Sequence, residues 1–332
     1  MEKPKTLREA IRYFAKDENC IRTVADMRWP NGPSCPACGH MQHYYLDRQR
    51  RWKCKECWKQ FSVKVGTIFE DSPIPLDKWL IALWMLVNCK NGVSSYELHR
   101  DLGITQKSAW FVLQRLRLAL QSGSLDHKLG GPDSEVEVDE TFVGQKARNM
   151  HKSRKLRLYR ARNAVQDYKA SGPGPMPGKT PVMGMLDRQS RKVRATVVPN
   201  VKRETLQAKI LNGIEHGSTL YTDQAVSYDG LTQKYAHEVV NHLETYVSGK
   251  VHTNGLENFW SLLKRGLHGT YVAVEPFHLF RYVDEQVFRY NNRGTKTEKI
   301  TDSDRFELAL SQIAGKRLTF AEVTGKVGEA SA

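Results

Sequence analysis

The chain has 332 residues, 40% of them hydrophobic, so it can bury two or three domain cores and is not a disordered polymer. Lys and Arg number 51 against 36 Asp and Glu, a net charge of +15, which favours a polyanionic partner such as nucleic acid. The nine apolar residues at 79–87 are too few to cross a bilayer and the charged N-terminus lacks a secretory signal, so we expect a cytoplasmic protein without a membrane partner.

Four of the six cysteines form a regular motif near the N-terminus. They follow the pattern C-x2-C-x15-C-x2-C, which is typical of a zinc ribbon in which four thiolates bind one structural Zn²⁺ and leave no open position for catalysis. The predicted ligands are Cys35, Cys38, Cys54 and Cys57. We expect short strands around Tyr44 and Trp52, and buried reduced thiols at Cys20 and Cys89. The alternatives are two redox pairs or an accidental spacing.

A helical module is predicted next. The apolar stretch 75–89 forms one helix, and Ser94 with Glu97 can cap a second. Gly103 ends that helix, and a third begins after it. Helix, glycine turn and helix is the outline of a helix-turn-helix, with a plain helical hairpin as the alternative. The residues predicted to face DNA are Gln106, Lys107, Ser108 and Gln114.

The second half has the pattern of a mixed α/β sheet. We predict strands at 135–143, 180–187, 192–199 and 218–223, with a helix at 204–216. Residues 145–179 form an insertion with ten Lys or Arg and one acid, a composition that repels itself and would become ordered against phosphate. A solvated loop without a partner is the alternative. Within the insertion, the candidates for DNA binding are Arg154, Lys155 and Arg157.

Three acids and a lysine carry the predicted chemistry. Asp139 and Asp223 fall at or near predicted strand ends, and Glu257 lies in a helix that begins at Asn254. Glu257 and Lys264 are seven residues apart, about two turns, so they share a helix face. Clustered carboxylates need cations to neutralise them, and hard oxygen ligands suit Mg²⁺ or Mn²⁺. Two such ions can catalyse cleavage of a phosphodiester. Lys264 would bind the DNA backbone as a point charge. An isolated acid at a strand end is otherwise a solvated side chain.

The chain resembles bacterial insertion-sequence transposases of the DDE type with an N-terminal zinc ribbon, a group related to the eukaryotic Merlin elements. The resemblance runs along nearly the whole chain. The segments that carry it are residues 28–32 (RWPNG), 60–69 (QFSVKVGTIF), 138–141 (VDET), 179–182 (KTPV), 222–223 (TD), 252–254 (HTN) with Glu257 and Trp260, and 289–293 (RYNNR).

This resemblance implies an RNase H-like catalytic domain, Asp139 and Asp223 as its first two acids, and Lys264 as the basic partner of the third. The third position is an acid or an asparagine in this group, and the candidates are Asn254, Glu257 and Asn258. We choose Glu257 because a carboxylate binds a divalent cation better than an amide does. His252 and Asn254 are candidates to support these ligands, or residues that only cap the helix.

The predicted order of domains is an N-terminal helix and zinc ribbon (1–70), a helix-turn-helix-like module (71–131), an RNase H-like catalytic domain (132–300) and a C-terminal helix and tail (301–332). The predicted function is a transposase that binds terminal inverted repeats, cleaves DNA and joins it to a target. We expect a homo-oligomer on DNA, associated with the nucleoid. The alternatives are a zinc-ribbon regulator with an inactive nuclease domain and a nuclease that hydrolyses without joining.

Overall fold

The computed structural model describes residues 3–121, 128–144, 152–153, 156, 179–223, 226–228, 230–231, 235–240, 252–295 and 298–325. The predicted DNA-binding residues Arg154, Lys155 and Arg157 lie outside these ranges. The chain divides into two compact units, one made of Met1–Ser122 with Asn292–Ala332 and the other of Gly123–Asn291. Within the described ranges, every helix is too short or too polar to span a membrane.

The elements are numbered along the chain. The helices are α1 (Leu7–Phe14), α2 (Asp17–Arg28), α3 (Leu76–Asn88), α4 (Ser95–Leu102), α5 (Gln106–Ala119), α6 (Arg203–Gly213), α7 (Asn254–Gly266), α8 (Leu279–Asn291), α9 (Asp302–Ser311) and α10 (Phe320–Thr324). The strands are β1 (His43–Leu46), β2 (Arg51–Cys54), β3 (Gln60–Phe61), β4 (Glu135–Val143), β5 (Thr180–Asp187), β6 (Val193–Val197), β7 (Thr219–Asp223) and β8 (Ala236–Val240).

The first unit is built around α3, which is buried on nearly every side because α1, α2, α5 and α9 pack around it. Phe306 of α9 lies between the rings of Phe14 and Trp84, at centroid distances of 5.6 and 5.2 Å. The predicted start of α4 is confirmed: Ser94 and Glu97 form a reciprocal capping box, and Gly103 ends the helix with a positive φ of 58°.

Two sequence predictions in this unit are wrong. Gln114 is completely buried and cannot face DNA, because α5 is enclosed by α3, α4 and the C-terminal segment. Even Arg115 is buried on this helix, where it donates to the carbonyl oxygens of Leu318 and Glu70 at 2.8 and 2.7 Å. Cys20 is buried as expected, whereas Cys89, at the end of α3, is only half-buried.

The second unit contains a five-stranded mixed sheet, which confirms the predicted α/β class. The strand order is β6-β5-β4-β7-β8, with β4, β5 and β6 antiparallel and β7 and β8 parallel to β4. One face packs on α6 through Val136, Val138 and Leu220, and the other packs on α7 and α8 through Val182 and Leu186. The strands at 135–143 and 180–187 have their predicted bounds, because alternation along a half-buried strand is a strong signal.

Candidate active site

Asp139 and Asp223 lie at matching positions of neighbouring strands. β4 and β7 run parallel and pair through Glu135, Val136 and Glu137 with Thr219, Leu220 and Tyr221. Each aspartate is two residues beyond the last of these pairs, Glu137 with Tyr221. For Asp223 the structure describes the backbone alone. The register therefore brings these two predicted acids to equivalent positions on adjacent strands.

Asp139 is held by a buried tryptophan of α7. The indole nitrogen Nε1 of Trp260 donates to Oδ2 of Asp139 at 2.8 Å, and Trp260 is only 4% exposed. The ring lies on Gly184, which is opposite Asp139 in the β4–β5 register. A Cβ at Gly184 would be 2.6 Å from Cζ2 of the indole, so only glycine leaves room for this ring.

The first turn of α7 rests on a second carboxylate of β4. The backbone N–H of Leu256 donates to Oε2 of Glu137 at 3.0 Å, and Glu137 is 1% exposed. A Cβ at Gly255 would be 2.8 Å from the same oxygen, so this glycine allows the helix to approach the strand. An acid at a helix N-terminus also interacts favourably with the helix dipole. The start of α7 is therefore fixed to the strand that carries Asp139.

Arg188 connects these elements electrostatically. Its guanidinium donates to Glu137 Oε1 at 2.8 Å and to Glu135 Oε2 at 3.1 Å. It also lies 2.8 Å from Nδ1 of His252, just before α7, and 4.3 Å from the centre of the Tyr221 ring on β7. One cation thus neutralises the buried acid of β4 and joins β4, β7 and the entry to α7.

The remaining predicted residues lie on or near α7. Glu257 and Lys264 are both exposed and stand three residues before and four residues after Trp260, so they are on the same side of the helix as this tryptophan. Asn258 is two residues before Trp260, which places it on the opposite side of α7. Asn254 is the exposed first residue of the helix, and the preceding Thr253 makes no side-chain capping bond.

Glu140 lies on the other face of β4, as its alternation with Asp139 predicts. Its carboxylate accepts a hydrogen bond from the hydroxyl of Tyr228, a residue of the core around α6. This acid is therefore directed away from the α7 face of the sheet.

The four predicted zinc ligands converge. Their sulfur atoms all lie within 4.8 Å of one another, and the Sγ atoms of Cys35 and Cys57, like those of Cys38 and Cys54, are 3.6 Å apart. Tetrahedral bonds of about 2.3 Å require sulfur atoms about 3.8 Å apart. The cluster thus has the composition and size of a structural Zn²⁺ site.

The clustered thiols differ in their pKa. Burial raises the pKa of this thiol, but the backbone N–H groups of Ala37 and Cys38 and the thiol of Cys57 outweigh it and lower the pKa to about 7. At Cys38 the backbone N–H of His40 lowers the pKa, but the hydrogen bonds with the other three thiols outweigh it and raise the pKa to about 12. The four thiols thus share protons, and it is their geometry that indicates the zinc site.

Two known domain families match the two parts of the chain just described. A transposase zinc-ribbon domain matches residues 15–60, which contain all four clustered cysteines, and an ISXO2-like transposase domain matches residues 128–291, which contain the sheet and α7. The chain belongs to the insertion-sequence transposases with an N-terminal zinc ribbon. The predicted resemblance is thereby confirmed.

Two relatives agree with this family. The chain is 27% identical over 268 residues to an uncharacterized protein in transposable element ISH50 of Halobacterium salinarum, a match that covers 77% of this chain and 85% of that protein. It is 33% identical over 108 residues to an uncharacterized transposase-like protein of Haemophilus influenzae, covering 32% of this chain and 87% of that protein.

Sequence reasoning did not assign a role to Glu137, Arg188 or Trp260 in this transposase. A signal for Glu137 was present, because Glu135, Glu137 and Asp139 alternate along one strand and so place three negative charges on one sheet face. Such a face requires a cation. That Arg188, in the turn after β5, supplies it depends on tertiary packing, which the sequence pattern does not specify.

Proposed function

We propose that this transposase binds the terminal inverted repeats of its element, cleaves the DNA there and joins it to a target, using divalent metal ions. The observation that carries the proposal is the placement of Asp139 and Asp223 at matching positions of β4 and β7, beside the helix that contains Glu257. The five-stranded mixed sheet with helices on both faces supports an RNase H-like catalytic domain.

Asp139, Asp223 and Glu257 would hold Mg²⁺ or Mn²⁺, since carboxylate oxygens are the ligands these ions prefer. When bound, such ions activate water or a 3′-hydroxyl and stabilise the leaving oxygen of a phosphodiester. Trp260 fixes the rotation of the Asp139 carboxylate through the bond to Oδ2. Its position on α7 also favours Glu257 over Asn258 as the third residue, because Glu257 shares its side of the helix.

The residues around this site have supporting roles. Arg188 neutralises Glu137, so that buried acid does not add an uncompensated charge beside Asp139. Lys264 shares the Trp260 side of α7 and would hold a DNA phosphate as a point charge. His252 contacts Arg188 and would act by keeping that cation in place.

DNA binding is proposed for the zinc ribbon and for the helical module of α4 and α5. Lys107, near the start of α5, is exposed, and its ammonium lies 4.7 Å from the centre of the Phe320 ring. Gln106 is less available for a DNA contact, because its side-chain amide donates to the hydroxyl of Ser95 at 2.9 Å. Joining two element ends to one target calls for more than one copy of the chain, so we propose an oligomer on DNA.

The decisive experiment compares end cleavage and joining by purified variants. Asp139→Asn, Asp223→Asn and Glu257→Gln should abolish cleavage of a labelled element end in Mg²⁺ while they retain DNA binding. Glu238→Gln, an exposed acid of β8 in the same sheet, serves as the control and should cleave normally. Asn254→Ala and Asn258→Ala test the other two candidates for the third ligand. If Glu257 is that ligand, cleavage should survive the Asn258 change in particular.

Adding target plasmid separates the possible functions. A transposase yields joined product, a nuclease yields cut ends alone, and a regulator yields neither. Cleavage retained by Asp139→Asn would overturn the assignment of the metal ligands.

A further inference from the structure

Trp58 of the zinc ribbon occupies a backbone conformation that normally requires glycine. It directly follows Cys57 and has a φ of +58°, as Gly39 directly follows Cys38 with a φ of +76°. Glycine fits this left-handed region without strain, whereas a bulky side chain does not. The tryptophan is also 59% exposed, so burial of its ring does not compensate for the strained backbone. Neither the backbone nor the core therefore accounts for a tryptophan at this position.

The surroundings of Trp58 alternate aromatic rings with lysines. The ammonium of Lys53 lies 5.0 Å from the centre of the Trp58 ring. Lys53 pairs across β1 and β2 with Tyr44, which is 50% exposed, and the ammonium of Lys55 lies 4.8 Å from the centre of the Tyr44 ring. We call Tyr44, Lys53, Lys55 and Trp58 the aromatic–lysine strip.

The strip is separate from the core of the ribbon. That core is formed by Trp29, Trp52 and Phe61, whose rings contact one another at centroid distances of 5.4 to 5.9 Å. Trp52 and Phe61 are 7% and 3% exposed, in contrast to the two rings of the strip. The surrounding segment is also basic, because residues 41–60 contain six Lys or Arg and two acids.

We propose that the aromatic–lysine strip binds the DNA backbone, with the lysines on phosphates and the two rings against the deoxyribose sugars between them. Lysine ammonium groups bind phosphate by displacing counterions, and the apolar faces of exposed rings are removed from water when they pack on the sugars. This inference rests on the proposed DNA-binding function and adds the surface that makes the contact. The competing explanation is that the lysines only balance the negative charge of four zinc-bound thiolates.

The test uses the full-length, zinc-loaded chain and a fluorescent 30-base-pair duplex of mixed sequence, titrated by anisotropy between 50 and 300 mM salt. Trp58→Gly removes the ring and suits the left-handed backbone, so zinc content should stay the same and the melting temperature should not fall. Its affinity for the duplex should fall about tenfold, with the salt slope unchanged, because the lost contact is the burial of apolar ring surface and is not ionic.

Lys53→Gln combined with Lys55→Gln gives a different signature. The slope of log affinity against log salt should become shallower by roughly 1.8, since each phosphate contact contributes about 0.9. Phe277→Ala, which removes an exposed ring elsewhere in the chain, should bind like the wild type.

Equal binding by the wild type and Trp58→Gly would overturn the strip while leaving the proposed function intact. A wild type that does not bind the duplex would overturn both. A double lysine variant that loses zinc and keeps its salt slope would instead support the charge-balance explanation. If Trp58→Gly loses zinc, Tyr44→Ala provides the same affinity test from the other ring of the strip.

Discussion

The indole N–H of Trp260 donates to the carboxylate of Asp139 across 2.8 Å, and this bond joins α7 to the central strand of the five-stranded sheet. Glu257 is three residues away on the same helix. A tryptophan side chain has only two rotatable bonds, and this one is buried, so the separation between the first and third proposed metal ligands is set by a rigid group.

Trp260→Phe should weaken catalysis by releasing the Asp139 carboxylate. Phenylalanine keeps a ring against Gly184 but lacks the N–H, and a hydrogen bond to a charged acceptor contributes about 1.5–3 kcal/mol. We expect end cleavage to slow about tenfold or more at limiting Mg²⁺, with partial recovery at high Mg²⁺. Cleavage rates across a Mg²⁺ titration measure this. Trp84→Phe, a buried indole of the other unit, is the control; an identical Mg²⁺ dependence in Trp260→Phe and the wild type would contradict the prediction.

Glu137→Gln should destabilise the second unit by roughly 1–3 kcal/mol, because it breaks a charge pair with Arg188 whose acidic partner is buried. Glu135→Gln is a matched control on the same cation. The Glu135 side chain is 30% exposed against 2% for Glu137, so we expect its loss to cost less than about 1 kcal/mol. Urea unfolding of both variants measures the difference. An equal loss of unfolding free energy in the two would show that the burial of Glu137 does not strengthen its pair with Arg188.

Gly184→Ala should displace Trp260 and so disturb Asp139. The new Cβ would be 2.6 Å from the indole, and overpacking of this kind costs roughly 1–3 kcal/mol. We expect lower stability and end cleavage reduced at least as much as in Trp260→Phe. Gly269→Ala is the control, because a Cβ there meets nothing within 4 Å. Thermal melts and cleavage assays on the two variants decide the matter, and normal cleavage by Gly184→Ala would refute the close packing.

Cys54→Ser should release the zinc ion and unfold the ribbon, since metal binding supplies roughly 10–16 kcal/mol to small zinc domains. Cys89→Ser, outside the cluster, should retain one zinc per chain by mass spectrometry under native conditions. Burial, reinforced by nearby Asp77, raises the pKa of Cys20 to about 12. Because this thiol is also fully buried, it should react slowly with alkylating reagents after chelation, while the four ligands of the unfolded ribbon react. Full zinc content in Cys54→Ser would contradict the site.

Local patterns were sufficient to predict most of the elements. The cysteine spacing located the zinc cluster, alternation located β4 and β5, and helical periodicity placed the start of α7 at Asn254. Each of these signals is contained within about twenty residues, which is the range over which chain geometry alone constrains structure.

Properties that depend on distant packing were not predictable. Glu137 looks like an exposed polar residue of an alternating strand, and it is buried only because α7, more than a hundred residues later, covers that face. Gln114 has the spacing of an outward-facing residue, but α5 is surrounded by helices from both ends of the chain. The pairing of β4 with β7 also joins residues more than eighty positions apart.

The first unit is built from two segments of the chain that are separated by the whole second unit. Its core includes Phe306, and Arg115 donates to the carbonyl oxygen of Leu318, so segments before and after residues 123–291 build one hydrophobic core. A ribosome finishes the entire sheet-bearing segment, Gly123–Asn291, before Phe306 and Leu318 emerge. The mixed sheet can therefore fold during synthesis, whereas the zinc-bearing unit reaches its final packing only after Phe306 and Leu318 have been made, and a premature stop codon after residue 291 would leave that unit without part of its core.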